Sequence, residues 1–308
     1  MLISIIVPFY NAASSLRCTI NCLLKQSLKD FEIILVDDGS QDNGLSIAQE
    51  ISQTDHRLVV VHQENGGVSS ARNSGLRISQ GQYIAFVDAD DSVDDKMYGE
   101  LVAKMQEKDA DIGVSGYCIN GKAVCDLRKH DYVFGSPEQI HKEFIIDMLG
   151  GPGSIFPVTA SVGRFVYKKD LLSTHNILFN TQIGYHEDFV FGLSALTRAN
   201  RIYLDGRPFY NYSYNEIGRG VRHKLEKKIA SHRHVINFLS QMKSSDCFGM
   251  SDNYASKIIF FNGTICENIC KMEENSIYKR IKMLRMLYFE SKSFLEECHS
   301  GKCLHPKY

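Results

Sequence analysis

The sequence predicts an α/β fold with a mostly parallel sheet flanked by helices, followed by a C-terminal helical extension. Short apolar runs alternate with segments of helical periodicity up to about residue 115, as expected of β-α-β units. The runs are nearly continuous, as in Ile33-Ile34-Leu35-Val36, which is typical of strands buried on both faces of a sheet. Beyond Lys224 only helical patterns remain, so we predict a domain boundary near residue 220.

The individual elements follow from this alternation. Strands are predicted at residues 2–7, 31–36, 58–61, 83–87, 111–115, 165–167, 202–204 and 209–212. Helices are predicted around residues 16–24 and 47–51, at 68–78, 97–108 and 189–196, and near 224–243, 253–272 and 276–297. The pattern loosens from 117 to 160, where Gly150-Gly151-Pro152-Gly153 indicates a loop.

Composition excludes several classes of protein. The formal net charge of −1 gives no general attraction to nucleic acid, so no nucleic-acid partner is expected. No apolar run is long enough for a transmembrane helix, and the N-terminus has the pattern of a first strand rather than a signal peptide. Nine scattered cysteines favour free thiols in a reducing compartment. We therefore expect a cytoplasmic protein.

Polar clusters end three of the early strands. They are Pro8-Phe9-Tyr10-Asn11, Asp37-Asp38-Gly39-Ser40 and Asp88-Ala89-Asp90-Asp91. Each cluster alone is explained as a turn or a helix cap. The carboxyl ends of parallel strands, however, meet at one sheet edge, where open α/β sheets bind ligands. Paired carboxylates can hold a divalent cation that in turn binds a diphosphate, so the three clusters together favour a nucleotide site.

Specific contacts can be assigned within this predicted site. A planar base could stack on Tyr10, and a carboxylate of Asp37 or Asp38 could accept its imide N–H. The glycines of Asn65-Gly66-Gly67 open the next helix, whose start favours anions, although a simple loop and cap explains them equally well. Arg72, one turn into that helix, could reach a base carbonyl or a phosphate. No glycine precedes Gly39 after the first strand, which excludes the usual dinucleotide-binding motif.

Four linked motifs in the first hundred residues resemble family 2 glycosyltransferases. They are Ser4-Ile5-Ile6-Val7-Pro8-Phe9-Tyr10-Asn11, Val36-Asp37-Asp38-Gly39-Ser40-Gln41-Asp42, Asn65-Gly66-Gly67 with Ala71-Arg72-Asn73 and Gly75, and Phe86-Val87-Asp88-Ala89-Asp90-Asp91. The resemblance implies a glycosyltransferase A fold, a nucleotide-diphosphate sugar donor, by family habit a UDP-sugar, and inversion at the anomeric carbon. It also implies a Mn²⁺ or Mg²⁺ ion held by Asp90, with Asp88 contacting the ribose or the ion and Ala89 lining the donor site.

A weaker resemblance covers the second half of the predicted catalytic domain. Residues 163–172 and 176–180 are similar to the acceptor-side segment of bacterial members, and Gly184-Tyr185-His186-Glu187-Asp188 is similar to their Glu-Asp motif. This implies Asp188 as catalytic base, with Glu187 beside the donor; alternatively, both acids simply favour a helix N-terminus. An aspartate of ordinary pKa, about 3.9, is ionised at neutral pH without special tuning. The chain lacks the family's tryptophan, and His186 stands where glycine commonly precedes Glu-Asp.

The resemblance divides the chain into a catalytic domain at 1–220, with a nucleotide-binding half at 1–116 and an acceptor half at 117–220, and a helical extension at 221–308. It implies a saccharide or lipid-linked saccharide acceptor and a role in bacterial surface-polysaccharide synthesis. Arg219, Arg222 and His223 could close over the diphosphate or form an exposed linker. The basic amphipathic pattern of 277–288 fits peripheral contact with the inner face of the plasma membrane, or packing on the catalytic body.

Two other functions remain open at this stage. A nucleotidyltransferase on a related fold would need a glycine-rich, basic loop after the first strand, and Pro8-Phe9-Tyr10-Asn11 supplies none. A non-catalytic sugar-nucleotide-binding protein has no need of both Asp90 and Asp188.

Overall fold

The computed structural model describes residues 1–124, 131–149, 161–213, 225–244, 247–248 and 257. Its strands are β1 (Ile3–Phe9), β2 (Phe31–Asp37), β3 (Leu58–His62), β4 (Tyr83–Phe86), β5 (Ser92–Val93), β6 (Ile112–Ile119), β7 (Lys122–Val124), β8 (Tyr132–Phe134), β9 (Phe165–Lys168) and β10 (Ile202–Tyr212). Its α-helices are α1 (Leu16–Leu24), α2 (Gly44–Ser52), α3 (Val68–Ile78), α4 (Met97–Lys108), α5 (Pro137–Gln139), α6 (Ile146–Leu149), α7 (Lys169–Thr174), α8 (Glu187–Leu196) and α9 (Leu225–Ser244).

The nucleotide half of the sheet is parallel. Strands follow the order β3-β2-β1-β4, and β1 pairs with both β2 and β4 in parallel register. Every residue of β1 and β2 is buried, which explains why both strands are mostly apolar rather than alternating, with the Ser4 hydroxyl donating to the Glu32 carboxylate. On α1, Leu16, Ile20 and Leu23 recur at helical spacing and supply its buried face. The carboxyl ends of β1, β2 and β4 therefore lie at the same edge of the sheet.

The other half of the sheet is mixed. Strand β9 inserts between β4 and β6 and is antiparallel to both, while β10 runs parallel to β6. The predicted α/β class, with a central sheet flanked by helices, is confirmed, and α3 and α4 have their predicted bounds. The sheet is less parallel than predicted, because β5, β7, β8 and β9 all pair antiparallel with their neighbours. Helix α8 and strand β10 belong to this mixed half, which therefore contributes Glu187, Asp188 and Tyr210 to the candidate site.

One prediction about the strands was wrong. Residues 202–204 and 209–212 belong to a single strand, β10, whose register against β6 shifts between Asp205 and Tyr210. The intervening Gly206 and Pro208 indicate a break in the sequence, but they mark a bulge. There the Asp205 carboxylate accepts hydrogen bonds from the backbone N–H and guanidinium of Arg207. The bulge lets one strand contact β8 with its first part and β5 with its second.

The described residues fall into two compact units. Those of 1–145 and 161–213 form the first, and those of 146–149 and 225–257 belong to the second. In the second unit, α9 has the bounds expected of the first C-terminal helix. The helices expected at 253–272 and 276–297 lie outside the described residues, residue 257 excepted. Of the described helices, none combines the length and apolar character that a membrane crossing requires.

Candidate functional site

The acidic loop after β4 is anchored by Asp91. Its buried carboxylate accepts hydrogen bonds from the Tyr210 hydroxyl at 2.7 Å and from the Ser213 backbone N–H at 2.9 Å. Burial, together with the charge of Asp88, raises the pKa of Asp91 to about 7. Asp88, by contrast, has a side chain 41% exposed, and Asp90 is exposed. Asp91 therefore anchors the loop, whereas Asp88 and Asp90 remain accessible.

Thr19 on α1 also fixes this loop. Its hydroxyl lies 3.0 Å from the backbone oxygens of both Ala89 and Asp91, and its single proton is shared between them. Thr19 is buried, so no water replaces this hydrogen bond when the hydroxyl is removed. The sequence gives no signal for this contact, because α1 and the loop are separated by about seventy residues.

We expect Thr19→Val to lower the free energy of unfolding by about 1–2 kcal/mol, because two loop carbonyls lose their donor. If the acidic loop binds the UDP moiety that the resemblance implies, the variant should also bind UDP more weakly, since the loop loses its support; urea unfolding and calorimetry with UDP measure the two effects. Thr54→Val is the matched control, because the Thr54 hydroxyl donates only to the Ile51 carbonyl at the end of α2. An unchanged UDP affinity in Thr19→Val would contradict the positioning role.

The end of β1 presents Tyr10 and Asn11. Tyr10 is 46% exposed, whereas Pro8 is buried in register with Val36 of β2. Asn11 has a positive φ of 51°, and its side-chain oxygen accepts a hydrogen bond from the Gln41 N–H at 2.7 Å. Asparagine is one of the few residues that adopt this backbone conformation readily. Tyr10 is therefore accessible to a ligand, and Asn11 holds the β1 end to the loop after β2.

Asp37 and Asp38 are engaged within the protein. Both are buried, and Asp38 accepts hydrogen bonds from the N–H groups of Gly66 at 2.9 Å and Gly67 at 2.8 Å. The Asp37 carboxylate lies 2.7 Å from His62 Nδ1. These contacts give the pair a structural role, in which Asp38 shapes the loop that starts α3. A contact with a nucleobase stays a prediction.

Arg72 contacts three carboxylates. Its side chain is 2% exposed, and its guanidinium donates to Asp88 Oδ1 at 2.8 Å, Asp188 Oδ1 at 2.6 Å and Glu187 Oε1 at 3.1 Å. Burial lowers the pKa of Arg72, but the three carboxylates outweigh that effect and raise it. The side chain points inward because α3 packs against β1 and β2, with Ala71 and Asn73 also buried. Arg72 is thus a buried bridge between these carboxylates, and its contact with a nucleobase or a phosphate stays a prediction.

Glu187 and Asp188 begin α8. Asp188 is 18% exposed and accepts a second hydrogen bond, at Oδ2, from the Val162 N–H at 3.3 Å. Burial raises its pKa to about 8; Arg72 opposes the shift, while the charges of Glu187 and Asp88 add to it. One guanidinium shared by three carboxylates leaves a net negative cluster, which favours a bound proton. The expectation of an ordinary aspartate pKa was therefore wrong.

The backbone of His186 adopts a conformation that usually requires glycine. It precedes α8 with φ 71° and ψ 21°, the left-handed region that glycine adopts without strain. This chain places a histidine there, with its ring centroid 4.1 Å from that of Tyr185. The family's preference for glycine at this position follows from the backbone, and the side chains of Tyr185 and His186 lie immediately before the two acids.

If Asp188 is the base that the resemblance implies, kcat/KM for glycosyl transfer should rise with pH toward a plateau above about pH 8, because a base must be unprotonated and this limb reports the free enzyme. Initial rates in overlapping buffers between pH 5 and pH 10, roughly, would measure it, with circular dichroism to check folding at each pH. A limb with a midpoint near 4, the ordinary aspartate value, would contradict the raised pKa of Asp188.

A divalent cation fits the donor set at the acidic loop. Asp88 and Asp90 offer carboxylate oxygens, the hard ligands that Mg²⁺ and Mn²⁺ prefer. Asp88 accepts the Arg72 hydrogen bond at Oδ1, which leaves Oδ2 to contact a cation. No cluster of three or more histidine, cysteine or acidic side chains poised for a metal occurs in the described part of the chain. Further ligands would therefore have to come from a bound diphosphate and water.

The structure brings Asp88, Glu187 and Asp188 together around Arg72, and it exposes Tyr10 and Asp90. Arg219, Arg222 and His223 lie outside the described residues. Sequence reasoning missed Thr19, Tyr210 and Ser213, whose contacts depend on chain segments that only the fold brings together. Asp91 was visible in the motif, but nothing in the sequence separates an anchoring acid from an accessible one.

Comparison with known proteins agrees with this geometry. The family profile described as "Glycosyl transferase family 2" matches residues 4–170. The uncharacterized glycosyltransferase EpsJ of Bacillus subtilis is 32% identical over 291 residues, covering 93% of this chain and 77% of that protein. Among solved structures, S. aureus TarS 1–349 in complex with UDP superposes with a TM-score of 0.61 at 21% identity, covering 97% of this chain and 91% of that one.

A second solved structure extends the likeness of fold. It is the mannosyltransferase PcManGT from Pyrobaculum calidifontis in complex with GDP-Man and Mn²⁺, with a TM-score of 0.58 at 15% identity, covering 94% of this chain and 80% of that one. At these identities the structural matches show a shared fold, that of glycosyltransferase A. The profile match covers more than half of the chain, and the relative EpsJ matches nearly all of it. The chain belongs to glycosyl transferase family 2.

Proposed function

We propose that the protein is an inverting, metal-dependent glycosyltransferase that moves a sugar from a nucleotide-diphosphate sugar to a hydroxyl group. One observation carries the proposal: a single buried guanidinium, Arg72, contacts both the acidic loop through Asp88 and the start of α8 through Asp188. The donor side and the candidate base are thereby adjacent, although they are about a hundred residues apart in the chain. Such adjacency is what direct displacement at an anomeric carbon requires.

The donor is proposed to bind at the edge formed by β1, β2 and β4. Tyr10 is the stacking surface for the base, and the loop held by Asp38 approaches the nucleotide with its backbone. A UDP-sugar is the proposed donor, with the UDP complex of TarS as support. Asp90 and Asp88 would hold a Mn²⁺ or Mg²⁺ ion, which would offset the charge that develops on the leaving nucleoside diphosphate.

The acceptor hydroxyl is proposed to lose its proton to Asp188. A carboxylate has about four acceptor positions, and the hydrogen bonds from Arg72 and Val162 use two of them, so Asp188 retains capacity for a substrate proton. Its raised pKa suits a base that works near neutral or slightly alkaline pH. A carboxylate that only deprotonates, with no covalent glycosyl intermediate, leads to inversion of the anomeric configuration.

The acceptor is proposed to be a saccharide or lipid-linked saccharide of bacterial surface-polysaccharide synthesis, assembled on the cytoplasmic side of the membrane. The family implies this context. The basic amphipathic segment at 277–288, which lies outside the described residues, is the proposed peripheral membrane contact.

The test is a donor panel with the purified protein, Mn²⁺ and UDP-glucose, UDP-GlcNAc, UDP-galactose or GDP-mannose. Release of the donor's nucleoside diphosphate that stops with EDTA supports the proposal, and the anomeric configuration of the product, read by NMR, must be opposite to that of the donor. Binding without release of nucleotide would instead indicate a non-catalytic protein. Release of a sugar 1-phosphate would indicate cleavage between the phosphates, as in nucleotidyl transfer.

A further inference from the structure

We propose that Arg72 is a positioning residue for the catalytic base, linking the Asp188 carboxylate to the acidic donor loop through its two terminal nitrogens. The inference rests on the proposed function, in which Asp188 takes the proton of the acceptor. It assigns Arg72 no contact with the nucleotide, in contrast to the role that its place after Asn65-Gly66-Gly67 indicates in the sequence.

The two nitrogens divide the contacts between the two halves of the site. Nη2 donates to Asp88 Oδ1 at 2.8 Å on the donor loop, while Nη1 donates to Asp188 Oδ1 at 2.6 Å and to Glu187 Oε1 at 3.1 Å at the start of α8. A guanidinium is planar and rigid, so its two sides cannot move independently. The position of Asp188 is consequently tied to the position of Asp88.

The guanidinium itself is held firmly. Its carbon lies 5.1 Å from the centroid of the Phe179 ring, and that ring stacks on Phe191 of α8 with centroids 4.0 Å apart. The side chain of Asn73, the next residue on α3, donates to the Phe179 carbonyl at 2.8 Å and accepts from its N–H at 2.9 Å. Arg72 therefore sits between a fixed helix and a fixed aromatic pair, which leaves it little freedom to swing toward a ligand.

The charges around Asp188 indicate how Arg72 affects its protonation. Asp188 interacts with Arg72, Glu187 and Asp88, and the phenols of Tyr167 and Tyr212 face it from β9 and β10. Arg72 is the cation among these groups, so it opposes the repulsion that Glu187 and Asp88 exert on an ionised Asp188. Without it, Asp188 would hold its proton to a higher pH, and its carboxylate would lose its strongest orienting hydrogen bond.

The experiment uses Arg72→Lys, Asp188→Asn and the double variant, with Arg77→Lys as the matched control. Lysine keeps the positive charge but has one terminal nitrogen in place of Nη1 and Nη2, so it cannot hold Asp88 and Asp188 in the geometry that the planar guanidinium fixes. Arg77 is an exposed arginine on the same helix that donates to Ser74. We expect Arg72→Lys to reduce kcat about 10²-fold, to leave the affinity for UDP measured by calorimetry unchanged, and to move the acidic limb of the pH profile upward. Arg77→Lys should match the wild type.

The double variant separates the proposal from the function on which it rests. If Arg72 acts through Asp188, adding Arg72→Lys to Asp188→Asn causes no further fall in kcat, because residues that act as a unit are not additive. Multiplying effects, or a loss of UDP affinity with kcat retained, would overturn the positioning role alone. Full activity in Asp188→Asn would overturn the proposed base first.

Glu187→Gln provides a second route if Arg72→Lys does not fold. It retains the buried arginine and removes one carboxylate that competes for Nη1. The Glu187 charge raises the pKa of Asp188, and its removal also leaves Nη1 to Asp188, so the acidic limb of kcat/KM is expected to move to lower pH. An unshifted limb in a folded Glu187→Gln variant would overturn the proposal.

Discussion

Asp188→Asn is expected to reduce kcat for glycosyl transfer by about 10²–10⁴-fold, the usual cost of losing a general base. UDP affinity should stay as in the wild type, because the proposed donor contacts lie on the acidic loop and at Tyr10. Asparagine keeps the shape of the side chain and one oxygen that can accept from Arg72. It cannot accept a proton, so the loss falls on the chemical step.

The fold should survive this substitution. The carboxamide nitrogen would face the Val162 N–H, which now donates to Oδ2 at 3.3 Å, and that hydrogen bond is lost. Against this, removing one of three carboxylates relieves repulsion in a cluster with a single guanidinium. The two effects oppose each other, and circular dichroism with thermal unfolding checks the balance.

Asp170→Asn is the matched control for this prediction. Asp170 is an exposed acid in the first turn of α7, as Asp188 is an acid in the first turn of α8. If helix-dipole stabilisation were the only role of Asp188, the two variants would behave alike. Wild-type transfer by Asp188→Asn would instead leave Glu187 or His186 as the base, and lost UDP binding would assign Asp188 to the donor site.

The fold was largely predictable because its signal is local. Strands such as β1 and β2 are buried on both faces, so their sequences are mostly apolar, and α3 and α4 carry helical periodicity over their whole length. The bulge in β10 was not predictable, because Gly206 and Pro208 have the same local signal whether a strand ends or only shifts register. The pairing partner, β6, decides between these outcomes.

The site was predictable in its residues but not in its contacts. The motifs that contain Asp88, Arg72 and Asp188 could be identified from sequence, yet Arg72 is separated from Asp188 by 116 positions. Arginine is rarely buried without partners, and the partners here lie on elements that only the assembled sheet brings together. Asp38 shows the same limit, since its engagement by Gly66 and Gly67 depends on how two loops meet.

Asp90→Ala is expected to abolish the gain in UDP affinity that Mn²⁺ provides. Asp90 is exposed on the acidic loop, so truncation creates no core cavity, and stability should change by no more than about 0.5 kcal/mol. Without the Asp90 carboxylate, a cation at this loop keeps only Asp88 among the proposed ligands, and Asp88 already shares its charge with Arg72. Calorimetry of UDP binding with and without Mn²⁺ measures the effect directly, without turnover.

Asp90 is a better test of the cation than Asp88 for a structural reason. Removing Asp88 also breaks the ion pair with Arg72, so any loss would mix the cation site with the support of Asp188. Asp95→Ala is the control, because Asp95 is an exposed acid just beyond the same loop and is expected to retain full Mn²⁺ dependence. If Asp90→Ala binds UDP as the wild type does both with and without Mn²⁺, the exposed acid holds no cation. The acidic loop would then serve through Asp91 and Asp88 alone, as the part of the structure that fixes Arg72 and the base.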